Sequence, residues 1–369
     1  MTPIAAELRD LLAIHLVPGI GPRLTAALLE RFGSADGVRR ASAAQLRQVP
    51  HLGEALAEKL ASSLRSTDVD AELEKMARHN VGLLALHTPA YPAALANIHN
   101  PPHLLYIRGA VEPRDARAVA VVGARHCTAY GKRTAERLAG DLARAGCTVI
   151  SGLARGIDGA AHRGALQAGG RTLAVLAGGL SRIYPPEHKE LAAQVENAGA
   201  LLTEATMDQE PLPTMFPARN RIISGLAQAV VLVEAAEKSG ALITAEHAAL
   251  QGRVVLAVPG PADSESSAGT NALIREGAVL CRGAHDVLEE LDGLAGIGAP
   301  AAAKTPAAPP PALDAVQQRV WELLAGEPRH LDEIVQASGL SVPKLSGLLL
   351  TLEMKKIVRR LPGNRYERS

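Results

Sequence analysis

The chain has 369 residues, of which 47% are apolar and only 2% aromatic, with 39 Lys plus Arg against 38 Asp plus Glu. That length exceeds one ordinary core and predicts two or three domains packed mainly with Ala, Leu and Val. The near balance of charge excludes a global basic field, so any site for an anion must be local.

The start, "MTPIAAELRD", carries early acids and lacks a signal-peptide pattern. Residues 1–65 predict short helices around "VPGIGPRLTAALLERFG" and "VPHLGEALAEKL", two pieces in which a Pro/Gly turn precedes an amphipathic helix. Gly21 and Gly53 stand 32 residues apart. The pair resembles tandem helix-hairpin-helix (SAM-like) units, whose glycines let amide groups at a helix start approach a DNA phosphate. His51 stands where the second hairpin would have its first glycine. The other reading is a small packing domain without a ligand.

Residues 80–292 alternate strand and helix patterns. "AVAVVGA", "CTVISG", "TLAVLAGG", "ALLTEA", "AVVLVEAA" and "RVVLAVPG" are short, continuous and apolar, as buried parallel strands are. Helical stretches such as "GKRTAERLAGDLARAG" separate them. The expected fold is α/β, a doubly wound, mostly parallel Rossmann-like sheet flanked by the small helical domain and by a third domain. Residues 293–312, "GLAGIGAPAAAKTPAAPPPA", read as a linker. Residues 313–369 then predict three helices and a hairpin turning at Pro362–Asn364, the winged-helix pattern. From Lys344 onward this segment has seven Lys or Arg against two Glu. No run approaches the ~18 apolar residues of a membrane helix. Cys127, Cys147 and Cys281 have no CxxC spacing and build no secreted disulfide framework. A soluble, cytoplasmic protein is expected.

Ligands of open α/β sheets bind beyond the carboxyl ends of the strands. There the chain places "VVGARHCTAYG", "SGLARGIDGAAH", "AGGLSRIYPPEHK", "PARNR" and "EKSGALITA". They bring Arg125, Arg155, Arg182 or Lys189, Arg219, Arg221 and Lys238 to one rim, and glycines 123, 152, 156 and 240 let amides approach an anion. Arginine suits phosphate because its planar fork donates two hydrogen bonds at once. "GKRT" lacks the earlier glycine of a P-loop, and no GxGxxG follows a strand, so no nucleotide cofactor is expected. Asp158 and His162 share a helix face but have no third metal ligand, and Asp158 reads more simply as a helix cap. Ser151 and Ser239 have no evident catalytic partners. Glu204 and Glu234 are strand-end carboxylates, a type that commonly bonds loop amides.

Seven stretches together resemble the DprA/Smf family, DNA-processing protein A: "VAVVGAR", "VISGLARGIDGAAHRGAL", "AVLAGGLSRIYPPEH", "FPARNRIISGLA", "VLVEAAEKSGALITA", "GRVVLAVPG" and "GTNALIREGA". They run in family order over residues 105–282, and both terminal segments match the family's helical and winged-helix domains. The resemblance implies a non-enzymatic, dimeric single-stranded DNA-binding protein that protects incoming strands during natural transformation and loads a RecA-type recombinase. It implies a groove formed by Arg125, Ser151, Gly152, Arg155, Gly156, Lys189, Arg219, Asn220, Arg221, Lys238, Ser239 and Gly240. Ala124 replaces the family's usual serine and His188 its frequent asparagine. The rival class is a nucleotide-processing hydrolase of the lysine-decarboxylase-like fold. Its "PGGxGT" loop is broken here by Pro261 and an insertion in "VPGPADSESSAGTN". A third reading is contact with double-stranded DNA through the terminal domains.

Overall fold

The computed structural model describes residues 5–298, 313–324, 329–354, 357–361 and 365–368. They fall into two compact units, 1–297 and 298–369. Six helices open the first: α1 (Ala6–His15), α2 (Pro22–Phe32), α3 (Ala35–Arg40), α4 (Ala43–Leu46), α5 (Glu54–Ser66) and α6 (Val69–Arg78). Pro22 begins α2 where no amide partner is needed, and the side chains of Ser34, Ser42 and Asp68 cap α3, α4 and α6. The hairpin turns separate α1 from α2 and α4 from α5. Gly19 and His51 hold corresponding places in them, with φ of 93° and 65°. Histidine enters that left-handed region at a cost of about 1 kcal/mol, and a 2.6 Å hydrogen bond between Arg23 Nη2 and His51 Nε2 ties the two hairpins together.

The sheet follows. Its strands are β1 (Gly82–Ala85), β2 (Leu104–Gly109), β3 (Ala118–Val122), β4 (Thr148–Ser151), β5 (Thr172–Leu176), β6 (Ala200–Thr203), β7 (Ala229–Leu232), β8 (Val254–Ala257) and β9 (Val279–Leu280). Between them lie α7 (Ala93–Ala96), α8 (Ala129–Arg144), α9 (Ile157–Gln167), α10 (Lys189–Ala198), α11 (Met215–Leu226), α12 (Gly240–Leu250) and α13 (Glu265–Arg275), and α14 (Ala284–Gly298) ends the unit. The order is β1-β2-β6-β5-β4-β3-β7-β8-β9. Every pair from β6 to β9 is parallel, whereas β2 runs antiparallel to both β1 and β6. The six expected strands are β3 to β8. Strands β1, β2 and β9, and helix α6, were not among the expected elements. The chain leaves β3 toward β4 on one side and returns through β7 on the other, so the order reverses at β3. Such a switch point leaves a crevice between the diverging loops.

Burial decides how the layers join. Val119, Val121, Leu138, Leu142 and Ile157 place α8 and α9 on one face of the sheet, and Ile222, Ile223 and Ala248 place α11 and α12 on the other. The N-terminal helices share a continuous core with Leu104, Tyr106, Leu176 and Leu201 of the sheet. Buried Glu72 latches this junction: it accepts from Tyr106 Oη at 3.0 Å and from the Met207 amide at 2.8 Å. The linker expected over 293–312 does not begin at 293, because α14 continues to Gly298. The rest of that stretch lies outside the described residues.

The second unit contains α15 (Ala315–Leu323), β10 (Arg329–His330), α16 (Leu331–Ser338), α17 (Val342–Met354), β11 (Val358–Leu361) and β12 (Arg365–Arg368). An antiparallel sheet in the order β10-β12-β11 completes a winged helix around Val320, Ile334, Leu345 and Leu349. The expected hairpin turn at Pro362–Asn364, and Lys355 and Lys356, lie outside the described residues. No described helix is long and apolar enough to cross a membrane.

Candidate nucleic-acid interface

A cleft of about 560 Å³ opens at the switch point. The loop after β3 contributes Arg125 and His126, the loop after β7 contributes Lys238 and Ser239, and α11 contributes Phe216, Arg219 and Asn220. Gly156 lets the β4–α9 loop close against the first of these walls. Its φ is 73°, and a side-chain carbon there would lie 2.2 Å from the Ala124 carbonyl oxygen. Gly152 is required for a different reason: a side-chain carbon would overlap the Arg219 guanidinium at 2.4 Å.

Arg219 is 6% exposed and forms the cleft floor. Its Nη1 donates to the Gly152 carbonyl at 2.8 Å and to the Val175 carbonyl, joining the ends of β4 and β5. Burial lowers its pKa to about 10, against the opposing pull of Asp158. It therefore remains a cation at neutral pH. Asp158 is itself buried, and desolvation raises its pKa despite the Arg219 charge. It accepts from the Gly152 amide at 3.1 Å, which removes that amide from the anion-binding set.

Arg125 and Lys238 are exposed, and neither forms an ion pair among the described residues. The Arg125 guanidinium lies 4.3 Å from the centroid of the Phe216 ring. Stacking of this kind holds the arginine in place while leaving its donors free. Phe216 meets Tyr184 edge-on at 6.1 Å. Lys238 stands just before α12, whose N-terminal end adds a partial positive charge. Ser239 caps that helix through the Ala241 amide, and the Gly240 carbonyl accepts from Asn220 Nδ2 at 3.3 Å.

The remaining expected residues are placed differently. Arg221 is two residues beyond Arg219, roughly 200° around the helix, and does not line the cleft. Its Nη2 donates to Glu204 Oε2 at 2.5 Å on another side of α11. The "RNR" triplet is thus divided by helical geometry, since residues i and i+2 do not share a face. Ser151 is fully buried and donates to the Val121 carbonyl at 2.7 Å, so its hydroxyl serves the sheet. Arg155 is exposed but paired with Glu187, which raises its pKa. Arg182 meets Glu210 at 3.4 Å. Lys189 is exposed in the first turn of α10, where the helix dipole disfavours a cation. His188 is buried, with Nδ1 2.9 Å from the Leu153 carbonyl.

The candidate catalytic and metal groups also have internal partners. Both carboxylate oxygens of buried Glu234 accept from Thr128, one from its amide at 2.9 Å and one from its hydroxyl at 2.6 Å, at the start of α8. His162 is fully buried beside Thr172, with 2.7 Å between Nδ1 and Oγ1, and desolvation lowers its pKa to about 3. Sequence reasoning missed Phe216 and Tyr184. The available signal was their position, one opening "FPARNR" and the other inside "RIYPP", each within three residues of an arginine.

The model for DNA recombination-mediator protein A matches residues 82–292, that for the DprA winged helix domain 304–364, and that for a SAM-like helix-hairpin-helix tandem 8–66. Protein Smf of Synechocystis sp. is 34% identical over 97% of this chain and 98% of its own length. The X-ray structure of DNA processing protein A from Streptococcus pneumoniae has a TM-score of 0.68 at 33% identity, covering 76% of this chain and 97% of that one. A Helicobacter pylori DNA processing protein A structure, described by its single-stranded DNA binding mode, has a TM-score of 0.51 at 27% identity. It covers 58% of this chain and 96% of that one.

Proposed function

Because the chain belongs to the DNA recombination-mediator protein A family, we propose that it binds single-stranded DNA in the switch-point cleft, as a binding protein rather than an enzyme. The observation that carries this reading is the cleft itself: Arg125 and Lys238 on opposite loops, both without carboxylate partners among the described residues, above the buried cation Arg219. Two phosphates can be met by the exposed pair, while Arg219 supplies field without leaving its carbonyls. Asn220, Ser239, Gly240 and Gly156 shape the walls. Phe216 and Tyr184 offer ring faces to an unstacked base, which every base can use, so the expected recognition is independent of sequence. Lys189 extends the cationic rim. Arg155 joins it only by leaving Glu187, and Gly152, Ser151 and Arg221 support the scaffold.

Family membership supports the further steps: protection of incoming strands in transformation, action as a homodimer, and transfer of the strand to a RecA-type recombinase in the cytoplasm. The roles of Glu234 in holding Thr128, the N-cap residue of α8, and of Glu204 as an ion-pair partner argue against the nucleotide-hydrolase alternative. The test is a titration of the full chain with single- and double-stranded oligonucleotides of one sequence, together with incubation with nucleoside monophosphates. Preference for the single strand without turnover is expected. Equal affinity for both forms, or release of free base, would overturn the proposal.

A further inference from the structure

Helix α8 leaves the cleft rim directly after Arg125 and His126. Its inner face is apolar and buried, through Ala135, Leu138, Ala139 and Leu142. Its outer face begins with Tyr130, 46% exposed, and continues through exposed Arg133 and Arg137. Positions 130, 133 and 137 follow the i, i+3, i+7 spacing of a single helix stripe. Exposed Lys132, two residues after Tyr130, lies on a different side of the helix.

Exposed cations without ion pairs among the described residues also occur on other helices, Lys59 and Arg65 of α5 and Arg275 of α13 among them. This stripe, however, starts beside the cleft rim, and several other helix arginines are held by carboxylates. Arg39 is held by Asp10, Arg40 by Asp36, Arg47 by Glu54 and Arg282 by Asp286. Lys132, Arg133 and Arg137 form no ion pair among the described residues. The two acids of α8 are turned to other arginines: Glu136 lies 3.8 Å from Arg163 of α9, and Asp141 takes Arg144 at 2.5 Å. At this end of the helix the buried Glu234 carboxylate is held by the Thr128 amide and hydroxyl, and Arg163 adds a further cation near Cys127. In a chain of net charge +1, Arg133 and Arg137, four residues apart and without ion pairs among the described residues, form a local positive strip.

We propose that the outer face of α8 continues the cleft as a track for the same single strand, with Arg133 and Arg137 meeting its phosphates and Tyr130 offering a ring to a base. The proposal rests on the cleft reading and extends it along the helix. From Tyr130 to Arg137 the helix rises about 10 Å, so the track adds two phosphate contacts beyond those in the cleft. The occupant is a flexible polyanion continuous with the cleft, because the strip starts at the cleft wall.

The experiment compares the full chain with the Arg133→Ala/Arg137→Ala variant on two oligothymidines. One is a short strand that fills the cleft alone, and the other is long enough to run past α8. Two lost phosphate contacts are expected to flatten the log K against log salt slope for the long strand by about 1.4, which is roughly a 25-fold loss at 0.1 M relative to 1 M salt. Affinity for the short strand should not change, and Arg133→Lys/Arg137→Lys should restore the slope, because charge alone suffices. If both strands bind and the alanine variant keeps the full slope on the long one, the α8 track is refuted while the cleft stands. If the variant weakens both strands equally, a separate track is also refuted. If the unmodified chain binds neither strand, the cleft reading fails and the track fails with it.

Discussion

Arg219→Ala removes a guanidinium that is almost wholly buried and donates to the carbonyls of Gly152 and Val175. A buried acceptor that loses its donor costs about 1–3 kcal/mol. Asp158 also loses the neighbouring positive charge that offsets its burial. The expected loss of stability is therefore at the upper end, about 3 kcal/mol, which corresponds to a fall of roughly 6–12 °C in melting temperature for a unit of this kind. Arg125→Ala provides the contrast. That side chain is exposed, and its stacking on Phe216 is worth about 0.5–1 kcal/mol to the fold. As a phosphate ligand, however, it would contribute about 1.5–3 kcal/mol, or roughly 10- to 150-fold in strand affinity. Thermal unfolding and single-strand titration of both variants separate the roles. An Arg219→Ala protein with unchanged melting temperature would refute its assignment as a scaffold cation.

Three further outcomes are expected. Arg125→Ala/Lys238→Ala should reduce the salt slope for single-strand binding by about 1.4, the value for two phosphates, whatever the base sequence; a slope unchanged across a salt series would exclude both as ligands. The His162 pKa is lowered from 6.5 to about 3, so the unfolded chain binds a proton that the folded chain refuses. Stability should thus be complete above pH 6.5 and decline as pH falls toward 3. A His162→Gln variant should show a shallower decline in urea unfolding, by at most about 1.4 kcal/mol per pH unit. Glu234→Ala strands the Thr128 amide and hydroxyl at the start of α8 and should cost about 1–2 kcal/mol in the same assay.

The chain's own pattern determined much of the architecture. Short apolar runs such as "AVAVVGA" and "AVVLVEAA" have few stable places other than a sheet covered on both faces. The loops that follow such strands necessarily collect at one edge. That was enough to bring Arg125, Arg219 and Lys238 to one rim. Tertiary structure decided which cations remain available there. Arg221 is taken by Glu204, 17 residues earlier, and Arg155 by Glu187, 32 residues later. Arg219 is spent on carbonyls 67 and 44 residues before it. Such pairings depend on burial and on the direction a helix turns its side chains, neither of which a local motif specifies. The same holds for β1 and β2, which extend the sheet beyond β6, with Glu72 of α6 joining segments 34 and 135 residues away. Tyr184 and Phe216 likewise became a ring pair only because the loop after β5 packs against the start of α11.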